Sequence, residues 1–181
     1  TIHLNGNGGE PALSIMTESM DAVSAEGWSA PFRPGKVFDG WYLDVRCTVP
    51  FTGVNPENYT GADTAVLEIY AGWRELDGFV CNDAGHIISC AGGSVTDGIF
   101  ALPSDAACTG IDAGALSSVA GLITEVYIPA NITYIGPGAL DGLTNLMYIE
   151  ATPGNPNYYS EGGILYTSAG ELVAAPVWYG E

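Results

Sequence analysis

Apolar residues along this chain fall in runs of three to six, often alternating with polar ones and rich in Ile, Val and Tyr. A period of two places successive side chains on opposite faces of a strand. The 25 Gly and 11 Pro lie between the runs and supply turns. This pattern predicts a chain that is mainly β with short helices.

The chain also repeats itself. Gly78 through Ala91 reads GFVCNDAGHIISCA, and Gly163 through Pro176 reads GILYTSAGELVAAP. At an offset of 85 residues Gly78 falls on Gly163 and Gly85 on Gly170, while Phe79-Val80 and Ile87-Ile88 fall on Ile164-Leu165 and Leu172-Val173. Each segment is predicted to be a hairpin whose turn, Asp83-Ala84-Gly85 or Ser168-Ala169-Gly170, ends in the Gly that a three-residue loop needs at its left-handed position.

Between these hairpins runs a second period. Phe100-Ala101-Leu102-Pro103, Val126-Tyr127-Ile128-Pro129 and Ile149-Glu150-Ala151 recur every 23 to 26 residues. The first two continue to an Ile near Gly-Ala (Ile111 with Gly114-Ala115-Leu116, Ile135 with Gly138-Ala139-Leu140), which reads as one strand and one helical turn per repeat. Such a unit leaves an apolar edge that only the next unit covers, so the expected architecture is a short solenoid. Stacking then aligns Ile99, Glu125 and Tyr148 in one outward column and Ala101, Tyr127 and Glu150 in the next. Glu125, Tyr127, Tyr148 and Glu150 are the candidate binding residues, since Tyr gives contact area at low entropic cost; aromatic residues also suit a sheet surface that binds nothing.

Composition narrows the function. Apolar residues make up 47% of the chain, enough to fold despite a net charge of −17. Arg33, Lys36, Arg46 and Arg74 are its only Lys and Arg residues, and twelve carboxylates follow from Glu75 onward. A surface of that sign repels phosphate backbones and anionic headgroups, which disfavours nucleic acid and membrane-surface partners. No apolar run approaches the roughly 18 residues of a membrane span, and Thr1 opens into strand-like sequence without a signal peptide, as expected of an excised or mature fragment.

Candidate chemistry is sparse. Cys47, Cys81, Cys90 and Cys108 lack metal-ligand spacing, which argues against zinc and leaves disulfides or small buried thiols open. His3 and His86 are the candidate bases near neutral pH. His86 aligns with Glu171 of the other hairpin, an exposed strand position. Asn155, Asn157 and Glu161 bring oxygens close together, but not at EF-hand spacing, and an Asn-rich turn is preferred to calcium. No nucleophile, phosphate-loop or metalloprotease motif occurs, so the expectation is no enzyme, no cofactor and no metal.

Val126-Tyr-Ile-Pro-Ala-Asn-Ile-Thr-Tyr-Ile-Gly136, continuing to Leu146-Met-Tyr-Ile149, resembles the BspA-like, or treponemal-type, leucine-rich repeat of bacterial surface proteins. Asn157-Tyr158, Gly163-Ile-Leu-Tyr166 and Leu172 to Pro176 are similar to that family's interspersed hairpin. The sequence departs from the pattern at Leu140, where a Phe usually stands. The first 73 residues resemble the internalin-type B repeat through Asn7-Gly8-Gly9, Arg33-Pro-Gly-Lys-Val-Phe-Asp-Gly-Trp-Tyr42 and Leu67-Glu-Ile-Tyr-Ala-Gly-Trp73, with Lys36-Val37 in place of the usual Gly-Tyr.

Independently of these resemblances, Phe38, Trp41, Tyr42, Tyr70 and Trp73 are the large aromatics expected to build a β core in the first 73 residues. The resemblances imply a small β-grasp-like module over 1–73, then a leucine-rich-repeat solenoid with β-hairpins over 74–181. They further imply an extracellular or cell-wall-associated location and a non-catalytic adhesion or ligand-binding role toward a protein or glycan, as a monomer. A structural spacer or stalk, and an accessory domain of a surface hydrolase, are the alternatives.

Overall fold

A computed structural model describes residues 1–16, 24–53 and 66–180. The chain divides into two compact units, one of residues 1–33 and 37–74, the other of 34–36 and 75–181.

Among the described residues the first unit forms one mixed sheet of β1 (Ile2–Asn5), β2 (Leu13–Met16), β3 (Val37–Tyr42) and β4 (Leu67–Arg74), in the order β2-β1-β4-β3. β1 and β4 pair in parallel and the outer pairings are antiparallel. Alternation decides what is buried. Ile2 and Leu4 of β1 and Leu67, Ile69 and Ala71 of β4 face inward with Trp41. Trp28 stacks on Phe51 at 5.4 Å and meets Trp41 edge-on at 5.9 Å, and Phe38 touches both Trp41 and Trp73.

Two expected core aromatics are therefore misplaced. Tyr70 lies between inward-facing Ile69 and Ala71, and Tyr42 follows inward-facing Trp41, so both point to the other face and are only half-buried. Trp28 and Phe51 join the aromatic cluster in their stead.

The second unit contains three small sheets. β5 (Phe79–Cys81) and β6 (His86–Cys90) form the first hairpin; β7 (Val95–Thr96) precedes β8 (Ile99–Ala101), followed by β9 (Gly110–Ile111), β10 (Glu125–Ile128), β11 (Tyr134–Ile135) and β12 (Tyr148–Ala151). Strands β8, β10 and β12 pair in parallel, with Phe100, Val126 and Ile149 side by side and fully buried. Strands β6, β9 and β11 form a second parallel set, in which His86, Gly110 and Tyr134 are neighbours and Ile87 and Ile111 are fully buried. Each repeat thus gives one strand to each of two sheets.

Where helical turns were expected, after Ile111 and Ile135, the chain makes hydrogen-bonded turns instead; the described 3-10 turns lie at Gly92–Ser94 and Ala120–Leu122, and no α-helix forms among the described residues. Gly114 and Gly138 stand at φ 82° and 75°, left-handed values that interrupt an α-helix before its costly first turn can propagate. Both lie where the sequence suggested a helix start.

Asparagines tie the repeats together. The Asn131 side-chain amide donates to the carbonyls of Pro103, Asp105 and Cys108 at 2.8, 3.0 and 2.8 Å. Asn155, 24 positions later, donates to those of Pro129 and Ile132 at 3.0 and 2.8 Å. Its Oδ1 accepts from the backbone N–H groups of Asn157 and Tyr158, so the Asn-rich segment weighed for calcium has this oxygen engaged as a turn acceptor.

The last sheet, β13 (Tyr158–Glu161), β14 (Ile164–Thr167) and β15 (Leu172–Ala174), contains the second hairpin. Val80↔Ser89 and Cys81↔Ile87 of the first copy become Leu165↔Ala174 and Tyr166↔Leu172 of the second, with the same register shift. Gly85 and Gly170 take φ 83° and 88° at the two turns. The enclosed residues differ, however: Phe79 and its counterpart Ile164 are buried in both copies, but Ile87 is enclosed and Val80 exposed in the first, whereas Leu165 is enclosed and Leu172 exposed in the second.

The cause lies in what each copy covers. The first continues the ladder through β6, while the second closes the end of the stack. Carbonyls of Gly98 and Thr124 accept from the N–H groups of the following repeat, and the corresponding carbonyl of Met147 accepts from the Trp178 indole N–H at 2.9 Å. The Thr109 carbonyl likewise meets backbone, whereas that of Thr133 meets the Asn157 amide at 2.7 Å. The N–H groups of Ile135, Ile149 and Ala151 donate to the Tyr158 hydroxyl, the Gly163 carbonyl and the Ser160 hydroxyl.

Candidate functional site

Glu125, Tyr127, Tyr148 and Glu150 meet on the outward face of β10 and β12. Buried Val126 and Ile128 alternate with Glu125 and Tyr127 along β10, and buried Ile149 and Ala151 alternate with Tyr148 and Glu150 along β12. The register sets Glu125 beside Tyr148 and Tyr127 beside Glu150, so carboxylates occupy one diagonal of a two-by-two array and phenols the other. On the other side of β10, Ile99 lies beside Glu125 and Ala101 beside Tyr127.

Local bonds organise the array. The Tyr127 hydroxyl donates to Glu125 Oε2 at 2.7 Å, a contact open to residues two apart on one strand face. That bond, desolvation, and the charges of Glu125 and Glu150 push the Tyr127 phenol up to about 12. Tyr148 lies over Gly163, where a Cβ would stand 2.8 Å from its Cδ2.

An ultraviolet titration should accordingly show one phenol ionising near pH 12, and the Glu125→Gln variant should bring it down. Because the folded pKa lies above the ordinary value of 10, whatever the neutral phenol contributes to stability is intact below pH 10 and is lost as pH rises through about 12. Equal titrations of wild type and variant would show that Glu125 does not hold the hydroxyl.

Both histidines pair with carboxylates away from this face. His3 Nδ1 lies 2.7 Å from Glu68 Oε1 in the first unit. In the second, His86 Nδ1 lies 3.0 Å from Asp112 Oδ1, with the ring stacked on Tyr134 at 4.4 Å. His86 is thus half-buried between repeats, unlike the exposed strand residue its alignment with Glu171 suggested. Gly110 makes that stack possible, since a Cβ there would come within 2.9 Å of both His86 Cδ2 and Tyr134 Cβ.

All four cysteines are free thiols, with Cys81, Cys90 and Cys108 buried and Cys47 half-buried. Burial raises the Cys90 thiol to about 11. Among the described residues, no group of three or more His, Cys, Asp and Glu is placed to hold a metal ion. A separate groove of about 330 Å³ runs between residues 135–140 and Tyr158, Thr167, Leu172 and Val173, with no charged side chain lining it. No described helix is long and apolar enough to cross a membrane.

The fold is mainly β, made of several small sheets with almost no helix. No family model matches the chain, and no curated protein matches it. Among solved structures it is similar to a leucine-rich repeat protein from Eubacterium ventriosum, at 25% sequence identity and a TM-score of 0.33. The likeness covers 42% of this chain and 20% of that one.

Proposed function

We propose that this chain is a non-catalytic binding region of a bacterial surface protein, in which an internalin-type, β-grasp-like module precedes a short solenoid of BspA-like leucine-rich repeats. In this reading the face of β8, β10 and β12 presents a recognition surface toward an extracellular protein or glycan, and the first unit serves as spacer or second contact module. The observation that carries it is the in-register Glu125–Tyr148 and Tyr127–Glu150 array on the outward strand face, with Tyr148 and Glu150 exposed and Glu125 and Tyr127 half-buried. Rigid strands hold these side chains at fixed spacing, which lowers the ordering cost of binding. The acidic surface supports a partner other than nucleic acid or an anionic membrane.

Binding of the purified chain to arrays of extracellular-matrix proteins and glycans tests the proposal, with Tyr127→Ala/Tyr148→Ala as the comparison. Wild-type binding that the double variant loses while retaining its hydrogen-exchange protection is the expected result. Absence of binding on every array would leave the structural-stalk reading in its place.

A further inference from the structure

We infer that the Glu125–Tyr127–Tyr148–Glu150 face takes a cationic polypeptide segment, an extended chain presenting Lys or Arg side chains to the two carboxylates and two phenol rings. This inference rests on the reading of that face as a recognition surface and adds the chemistry of its partner.

Donor and acceptor counts point that way first. Of the six outward residues, Ile99 and Ala101 offer no hydrogen bonds, and the Glu125 and Glu150 carboxylates only accept. The Tyr127 hydroxyl already spends its proton on Glu125, which leaves the Tyr148 hydroxyl as the one other side-chain donor of the six. A surface so rich in acceptors and poor in donors fits a ligand that only donates, and the Lys ammonium and Arg guanidinium are such groups. A sugar hydroxyl both donates and accepts and would leave half of its capacity unmet here.

Charge points the same way. No Lys or Arg follows Arg74, and in the second unit Lys36 is paired with Glu75 and His86 with Asp112. Glu125 and Glu150 have no cationic partner among these groups, and their combined field is felt at the Tyr127 phenol between them. A cation between the diagonal carboxylates would relieve that field and meet the faces of Tyr127 and Tyr148. The methylene stem of a Lys or Arg would lie along Ile99 and Ala101.

The test is calorimetric titration of the full chain with an alternating Gly-Lys decapeptide, the same peptide acetylated on its lysines, and a neutral hexasaccharide. Glu125→Gln/Glu150→Gln removes two charges from the face, while Asp83→Asn/Glu171→Gln removes two from the hairpins. The lysine peptide should bind wild type and the hairpin variant within about twofold of one another, and bind the face variant and Tyr127→Ala/Tyr148→Ala about tenfold or more weakly, as a lost charge-assisted or cation–π contact implies. Acetylation should abolish binding.

Equal weakening by the two charge-removing variants would reduce the effect to diffuse attraction by a polyanion and overturn the inference, as would undiminished binding of the acetylated peptide. Hexasaccharide binding that depends on Tyr127 and Tyr148, without peptide binding, would overturn the cationic partner while leaving the recognition face in place. Binding of none of the three probes would overturn the cationic partner, and with the protein and glycan arrays also blank it would remove the recognition face.

Discussion

Phe100→Ala should destabilise the second unit by about 3–5 kcal/mol, the range for truncating a fully enclosed aromatic side chain. Phe100 has no solvent exposure, lies beside Val126 of β10, and packs its ring 5.9 Å from that of Phe79. The surrounding backbone is fixed by ladder hydrogen bonds through β7, β8 and β10, so the vacated volume cannot collapse. Phe100→Leu keeps most of that volume and should cost less than half as much. Urea denaturation, with hydrogen exchange followed over residues 79–151, measures both. A loss under about 1 kcal/mol for the alanine variant would mean that the strands close around the gap and that packing is looser than the burial indicates.

Asn131→Ala should cost about 1–3 kcal/mol, because one amide group serves three carbonyls of the preceding repeat. Asn131→Asp separates shape from chemistry. An aspartate fits the same space but faces those oxygens with another acceptor, so its folded pKa rises above the ordinary carboxylate value. By linkage the variant is least impaired where the acid is protonated, below the unfolded pKa, and loses stability as pH rises through the folded pKa. Asn131→Ala should show no such pH trend relative to wild type. A stability difference between the Asn131→Asp variant and wild type that stays flat across the acid range would show that the three carbonyls do not govern this position.

The strand face was legible in the sequence because it depends on a period of two. Once Phe100, Val126 and Ile149 are set inward, Ile99, Glu125 and Tyr148 must point outward together, and the register agrees. The hairpins were equally legible through Gly85 and Gly170. What each hairpin buries was not, since Val80 and Leu165 are both apolar and only the neighbouring element decides which is covered. In the first unit, weight placed on aromatic residues hid Ile2, Leu4 and Ile69, which form the enclosed centre.

The second parallel set escaped notice because β9 and β11 are two residues long, too short for any periodicity. A signal was present in the spacing of 24 between Ile87, Ile111 and Ile135, and again between Asn131 and Asn155. Asparagine ties are hard to foresee from sequence, since the same residue serves any polar turn.

At the end of the stack, Trp178, Asn157 and Tyr158 meet backbone groups that elsewhere meet the next repeat. At these contacts the end is complementary to repeat backbone, while Gly163 is fitted to the ring of Tyr148. A unit inserted upstream of the last repeat would leave these closing contacts as they are, and each would broaden the exposed face by one strand width, about 4.8 Å. Reach thus becomes an adjustable quantity that changes in fixed increments, set by copy number.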